Sequence, residues 1–369
     1  MRDFTGVHMN GSIPLESAED VFRLVGENFS PWIRRIPDGE VGRPWVTGEA
    51  PLFYRNDAFD FVPRDQAPTA DGIPPQLDQV RPKAGVNPAD IEFGPSRHVA
   101  DAPVSFEVFS RLKADGVLPQ DARYMMALPG PLHLPLFVVT WDAALDVLPA
   151  WERYQKAVIT AIADSIPHSE LAFQWDLPVY TAIFEGTYPN PFGTREAVVE
   201  RLLTACSWVP DDVELGFHLC FGDSKSVRGV EDPARPGEMI VADAESVHPR
   251  EQLSTAGLAE FSNALAAALP RPISFLHMPT LIEWTEPEDY QPLAELKLDP
   301  ETELYLGVVH DVDGLEGAAV RTRAALSTIG RPFGVSTECG LGRHRPDEVV
   351  VAVAALRDLA SRLQAGELV

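Results

Sequence analysis

Eight short apolar segments alternate with segments of helical periodicity along almost the whole chain, and this alternation limits the fold more than any other feature. Parallel strands must be joined by crossover connections, usually helices, so the pattern is typical of βαβ units. Eight strand–helix pairs favour a closed (β/α)8 TIM barrel over an open sheet. The sequence therefore predicts an α/β chain, with residues 1–369 forming a single barrel domain.

Turn-forming residues bound each segment and set the expected limits of the elements. The predicted strands lie at residues 5–10, 33–37, 123–128, 170–176, 213–220, 273–277, 304–309 and 333–337. The helices predicted to follow them lie at residues 17–28, 104–114, 141–165, 194–208, 251–268, 291–298, 316–328 and 346–364.

Two connections are too long to be simple loops. Residues 44–97, after the second strand, contain nine prolines and several aromatic residues, which predicts a long Pro-rich insertion. Such an insertion either covers the barrel mouth as a lid or packs on the outer helices, and the sequence favours neither. Residues 222–250, after the fifth strand, are rich in Asp, Glu, Pro and Gly and are predicted to form a surface loop.

The charge balance limits the choice of partners. The chain has 55 acidic and 30 basic residues, giving a formal net charge of −25, and such a field repels nucleic-acid phosphates and anionic membrane surfaces. No apolar run reaches the ~20 residues needed to span a bilayer, and the first residues lack an apolar signal core. We therefore expect a cytoplasmic protein that binds neither nucleic acid nor membranes.

Reactive side chains cluster where the predicted strands end, which is the functional face of a TIM barrel. In chain order they are Gln174, Asp176, His218, Cys220, His277, His310, Asp311, Glu338 and Cys339.

Three of these residues form a candidate metal site. His218 and Cys220 are two apart on a strand, so their side chains share a face, and Cys339 lies at the end of another strand. Two thiolates and an imidazole favour zinc and leave a position open for substrate. His-x-Cys alone is also typical of a buried histidine beside a packing cysteine. Cys206, in a helical stretch, is predicted to be a core residue.

Six motifs in sequence order resemble the catalytic barrel of the cobalamin-independent methionine synthase family, which shares a superfamily with the uroporphyrinogen decarboxylases. They are NGSIP, ALPGPLHLP, FQWDLP, GFHLCFGD, LYLGVVHDVDG and GVSTECGLGR. The resemblance covers nearly the whole chain and implies one TIM barrel that binds zinc.

The resemblance implies that His218, Cys220 and Cys339 are the zinc ligands. The family has a further glutamate ligand on the next strand, where this chain has no clear match. His277 lies near that place and is the expected fourth ligand, with Glu283 as the weaker substitute.

The resemblance also implies roles near the metal. Gln174 would bind substrate and Asp176 would act in catalysis, but Leu177 replaces the glutamate that follows in the family, which argues against homocysteine as the acceptor. His310 or Asp311 would donate a proton to the leaving group, unless they serve as structural hydrogen-bond partners.

Further binding residues come from the turn after the second strand and from scattered arginines. Asp38 and Glu40 would bind a ligand amine, or else form a solvated turn. Residues that could hold the anionic tail of a folate are Arg34, Arg35, Arg43 and Arg343.

The leading hypothesis is a zinc-dependent enzyme that transfers a methyl or other alkyl group involving a small thiol. The donor would be methylfolate or a smaller alkyl compound. A second hypothesis is an epoxide-opening enzyme similar to the epoxyalkane:coenzyme M transferases. A third is a metal-free decarboxylase resembling uroporphyrinogen decarboxylase, in which Asp176 and Arg34 or Arg35 handle a polycarboxylate. A fourth is a non-catalytic sensor or store for a thiol or metal.

Overall fold

A computed structural model describes residues 4–43, 45–70, 75, 77–221, 234 and 253–368. Eight parallel strands lie side by side, each beside its neighbour in chain order, and the first strand also pairs with the last. The first two strands form the two edges of the sheet, and the segments at these edges meet through parallel bridges at Val7–Ile33 and Ser12–Gly39. This arrangement confirms the α/β class and is consistent with a TIM barrel. The eight strands are β1 (Phe4–Val7), β2 (Arg35–Pro37), β5 (Arg123–Pro129), β6 (Leu171–Asp176), β7 (Glu214–His218), β8 (Phe275–Pro279), β9 (Glu303–Val309) and β10 (Phe333–Thr337).

Helices cover the sheet and follow the amphipathic pattern of the sequence. In the first, Ser17 caps the N-terminus by accepting a hydrogen bond from the Asp20 backbone N–H at 3.2 Å, and Val21, Val25 and Phe29 face the core. The longer helices are α1 (Ala18–Phe29), α4 (Arg97–Ala114), α6 (Trp141–Ser165), α8 (Arg195–Cys206), α9 (Thr255–Ala268), α11 (Gly314–Thr328) and α12 (Pro346–Ala365). Shorter ones are α2 (Trp45–Glu49), α3 (Pro51–Tyr54), α5 (His133–Val138), α7 (Pro178–Glu185) and α10 (Pro287–Tyr290).

Proline accounts for two differences from the predicted helices. In place of the helix predicted at 291–298 there is a 3-10 segment, Gln291–Glu295, which follows α10; Pro292 has no backbone N–H to donate and so cannot continue α10. The helix predicted to begin at 104 begins at Arg97 and runs through Pro103. Two short helices after β5 and β6, α5 and α7, were not predicted.

The insertion after β2 is anchored to the outside of the barrel. Its β3 (Phe59–Val62) and β4 (Gln79–Pro82) form an antiparallel hairpin, and the Val80 carbonyl accepts a hydrogen bond from the Thr140 N–H at 2.9 Å. The buried Phe53 ring packs 5.0 Å from Trp151 of α6. These contacts pack Phe53 and the hairpin on the outside of the barrel, whereas Trp45, at the start of the insertion, donates its backbone N–H to Glu40 beside the mouth. The loop predicted at 222–250 falls, apart from residue 234, outside the described residues.

The amino ends of the strands close the base of the barrel with an ionic network. The buried Arg35 guanidinium lies 4.6 Å from the centre of the Phe275 ring and pairs with Glu214 and Glu303, the first residues of β7 and β9. Arg34 also pairs with Glu303. Arg34 and Arg35 therefore lie at the opposite end of the barrel from Asp176, the last residue of β6, and cannot share a ligand with it.

Within the described part of the chain, every helix is too short or too polar to cross a lipid bilayer.

Candidate metal centre

His218, Cys220 and Cys339 converge at the carboxyl ends of β7 and β10. Their candidate ligand atoms all lie within 4.8 Å of one another. The two cysteine Sγ atoms are 3.4 Å apart, and Cys339 Sγ is 3.5 Å from His218 Nε2. Residues far apart in sequence thus form one compact group of soft donors, as their positions at strand ends predicted.

The spacing of these atoms fits zinc. Bonds of ~2.3 Å to sulfur and ~2.0 Å to nitrogen place tetrahedral ligands ~3.8 Å apart for two sulfurs and ~3.5 Å apart for sulfur and nitrogen. The separations of Cys339 Sγ from Cys220 Sγ and from His218 Nε2 differ from these values by less than half an ångström. His218 and Cys220 are buried and Cys339 is partly exposed, so an ion held here would remain accessible from the Cys339 side.

Backbone hydrogen bonds fix the segments that carry these candidate ligands. The His218 carbonyl accepts from the Leu177 N–H, at 2.9 Å, and the Thr337 hydroxyl donates to the Cys339 carbonyl at 2.8 Å. Burial acts to lower the pKa of His218, but the Cys220 sulfur and the nearby carboxylates raise the pKa above its ordinary value.

His277, the expected fourth ligand, lies beside the cluster of His218, Cys220 and Cys339 and not within it. Its Nδ1 lies 2.7 Å from His218 Nδ1, and its Nε2 lies 3.1 Å from the Thr337 carbonyl oxygen. Burial and the neighbouring imidazoles hold the pKa of His277 well below its usual range, so the ring is neutral. Glu283 is exposed and also lies outside the cluster. Among the described residues, the cluster therefore has three members.

Gln174 and Asp176 form a hydrogen-bonded pair beside this centre. Asp176 lies in register with His218 on the neighbouring strand, and Gln174 donates to its Oδ1 at 2.8 Å. The Gln174 amide oxygen accepts in turn from His8 Nε2 at 2.8 Å. Burial and the nearby Cys220 sulfur raise the pKa of Asp176 to about 7, although His218 and Gln174 oppose the shift. This carboxyl can therefore exchange a proton near neutral pH.

The Asp38 carboxylate is already bonded to other groups of the protein, so it is not free to bind the amine of a ligand. Its carboxylate pairs with the buried Arg43 and accepts from the Tyr124 hydroxyl at 3.1 Å. Glu40 is also buried, in the left-handed region at φ 54°, and its carboxylate accepts from the Trp45 N–H at 3.3 Å. Neither residue forms a solvated turn.

We expect Glu40→Gln to change how stability depends on pH. Burial and the nearby Asp176 raise the pKa of Glu40 well above its usual range, so the folded state holds a proton that the unfolded state loses first. Wild-type stability should fall as pH rises from the ordinary glutamate range through the folded pKa, by up to ~1.4 kcal/mol per pH unit. The glutamine variant should lack this loss in urea unfolding of metal-free protein.

The matched control for this measurement is Glu107→Gln, which removes an exposed glutamate from α4. Its pH profile should follow that of the wild type. Identical profiles for the two variants would contradict the assignment.

His310 is engaged at both ring nitrogens. Its Nδ1 lies 2.6 Å from Glu338 Oε2, and its Nε2 donates to the Thr280 carbonyl at 2.9 Å. This arrangement favours a structural role over the expected proton donation. Asp311 lies 3.5 Å from His344 Nε2, and Arg343 lies in the turn before α12. Burial raises the pKa of the Cys206 thiol to about 12, in agreement with a core position.

Sequence reasoning missed an aromatic wall beside the mouth. The Trp45 ring lies 5.1 Å from His133, which stacks on Phe137 at 5.8 Å, and Phe137 stacks on Tyr188 at 6.3 Å. It also missed Asn10, whose amide nitrogen donates to the Thr337 carbonyl at 3.1 Å. Asn10 belongs to the NGSIP motif, so its position in that motif was the available signal.

Solved structures share this fold. A B12-independent methionine synthase from Shewanella sp. W3-18-1, in complex with selenomethionine, is 14% identical, with a TM-score of 0.63 and 99% of each chain covered. A protein assigned provisionally as a vitamin-B12-independent methionine synthase, from Listeria monocytogenes, is 13% identical, with a TM-score of 0.55 and 98% of each chain covered. A methyltransferase from Methanosarcina mazei is 13% identical, with a TM-score of 0.51 and 97% of this chain and 94% of the other covered.

Neither a protein-family model nor a curated protein sequence matches the chain. The structural similarity confirms, at the level of the fold, the resemblance to the methionine synthase barrel that the motifs indicate.

Proposed function

We propose that this protein is a zinc-dependent transferase that moves a methyl or other small alkyl group to or from the sulfur of a small thiol. The observation that carries the proposal is the convergence of His218, Cys220 and Cys339, with separations that suit tetrahedral zinc. The names of the similar structures, two methionine synthases and a methyltransferase, support the same reaction class.

His218, Cys220 and Cys339 would hold the metal. Zinc bound in this way supplies a site where a thiol binds as its thiolate at neutral pH, whereas a free thiol with a pKa of about 8.5 is mostly protonated. Two cysteine thiolates and a neutral imidazole balance the charge of a divalent ion. Partly exposed Cys339 marks the side from which a substrate enters.

Asp176 would take up the proton that the thiol loses on binding. Its carboxyl lies beside His218 and has a pKa of about 7, so the ionised form is present at neutral pH. The adjacent Gln174 orients the carboxylate by its hydrogen bond. The aromatic wall that begins at Trp45 and His133 would exclude water from the reacting sulfur.

The arginines limit the choice of donor. Arg34 and Arg35 pair with acidic residues at the base of the barrel, and Arg43 pairs with Asp38, so three of the four arginines considered for a folate tail are held by carboxylates. We therefore favour a small uncharged or cationic alkyl donor over a folate with a polyglutamate tail. The position of Arg34 and Arg35 also weakens the decarboxylase hypothesis, which needs them beside Asp176.

The test is turnover by zinc-loaded protein. Homocysteine, coenzyme M and glutathione should each be paired with methylfolate, a small methyl donor and an epoxide, and the alkylated thiol measured by mass spectrometry. We expect one thiol to be alkylated, with the activity lost when a chelator removes zinc and regained on reloading. Failure of zinc-loaded protein to bind any of the thiols by calorimetry would contradict the proposal.

A further inference from the structure

We propose that His277 is a positioning residue that fixes the tautomer and orientation of the metal-facing imidazole of His218. The inference rests on the proposed metal centre and deepens it. It also reassigns the residue at the place where the sequence resemblance implies a fourth ligand.

Counting protons in the buried network sets the tautomer of His277. Asn10 Nδ2 carries two hydrogens, and three possible acceptors surround it: Ser336 Oγ at 3.2 Å, the Thr337 carbonyl at 3.1 Å and His277 Nε2 at 3.2 Å. The Thr337 carbonyl can only accept, and His277 Nε2 also lies 3.1 Å from it. A lone pair on His277 Nε2 would face a lone pair of this carbonyl, so we assign the ring proton to Nε2, which leaves the two Asn10 hydrogens for Ser336 and Thr337.

The tautomer of His218 follows from that of His277. A neutral imidazole has one N–H, so His277 Nδ1 is an acceptor. Its partner 2.7 Å away is His218 Nδ1, which must then donate. The lone pair of His218 is left on Nε2, the atom that lies 3.5 Å from Cys339 Sγ. Hydrogen bonding of the far ring nitrogen is how metal-binding histidines are usually oriented, most often by a carboxylate or a carbonyl.

The surroundings of His277 hold its ring in this place. The side chain is fully buried, and His218 and His277 lie in register on β7 and β8. Gly307 on β9 makes room for it, because a Cβ there would lie 3.1 Å from His277 Nε2 and 2.8 Å from the Thr337 carbonyl. With both ring nitrogens directed at protein partners, His277 has no lone pair to offer a metal.

Metal affinity and ligand counting test the role without an activity assay. Zinc affinity should be measured by chelator competition in wild type, His277→Leu and His277→Asn. Leucine removes the acceptor and should weaken zinc binding by about 10–100-fold, the usual effect of losing such a partner. Asparagine places an amide oxygen near the former Nδ1 and should retain affinity within a few-fold of wild type. His98→Leu removes a buried imidazole that lies beside Glu49 and outside the cluster, and it should leave affinity unchanged.

Spectroscopy of wild type separates positioning from ligation. X-ray absorption of the zinc-loaded protein should show two sulfurs and one imidazole, and ¹⁵N NMR should show His218 protonated at Nδ1. Two imidazoles at the metal, a proton on His218 Nε2, or unchanged affinity in a folded His277→Leu would each overturn the inference while leaving the metal centre intact. Wild type that binds no zinc would overturn both the inference and the proposed function.

Discussion

Cys339→Ser and Cys220→Ser should each abolish stoichiometric zinc binding. Each change replaces one of two thiolates 3.4 Å apart by a hydroxyl, which is a weak zinc ligand at neutral pH. The loss of affinity should exceed the ~100-fold that follows removal of a partner outside the ligand shell. We expect about one zinc per wild-type chain by elemental analysis and close to none in either variant, with thiol alkylation lost in parallel.

Cys206→Ala is the matched control, because it removes the third cysteine of the chain from the core of α8. This variant should keep its zinc and its reaction while losing some stability. Full zinc occupancy in both serine variants, or equal loss in all three, would show that the cluster at the strand ends is not the metal site.

The placement of the ligands could be predicted because it depends on a few strong local signals. Apolar segments indicate where strands end, and the barrel brings those ends together. The proximity of His218, Cys220 and Cys339 could therefore be predicted without knowing how side chains pack. The same logic placed Asp176 beside the cluster.

The partners of His277 could not be predicted, because they depend on strand register. His277 lies at the end of a strand, as expected, but its role is decided by pairing with His218 across β7 and β8 and by the Thr337 carbonyl on another strand. A sequence shows neither register nor backbone acceptors. For the same reason, the pairing of Asp38 with Arg43 and of His310 with Glu338 was missed.

The two ends of the barrel use buried charge in opposite ways. At the mouth, buried carboxyls such as Glu40 and Asp176 have raised pKa values, so their ionisation costs stability and makes them available for proton transfer. At the base, Arg35 lies between two carboxylates, and the attraction of Glu303 and Glu214 raises its pKa despite burial. Charge at the base should therefore serve stability alone.

Arg35→Met should accordingly lower the free energy of unfolding by about 2–3 kcal/mol, less than the ~3–5 kcal/mol usual for leaving a buried charge unpaired, because Glu303 and Glu214 each keep a second arginine. Arg35 is only 6% exposed, and its loss leaves Glu214 paired with Arg123 and Glu303 paired with the exposed Arg34. Urea unfolding of the metal-free protein measures this change. Methionine preserves much of the apolar contact with Phe275, so most of the loss should come from the charge.

Arg34→Met provides the comparison, because Arg34 pairs with the same Glu303 but its side chain is 58% exposed. Its removal should cost less than about 1 kcal/mol, since solvent screens an exposed pair. Zinc affinity should be unchanged in both variants, because the base lies at the other end of the barrel from His218. Equal destabilisation by the two substitutions would mean that burial does not decide the strength of this network, and weaker zinc binding in Arg35→Met would mean that the two ends are coupled.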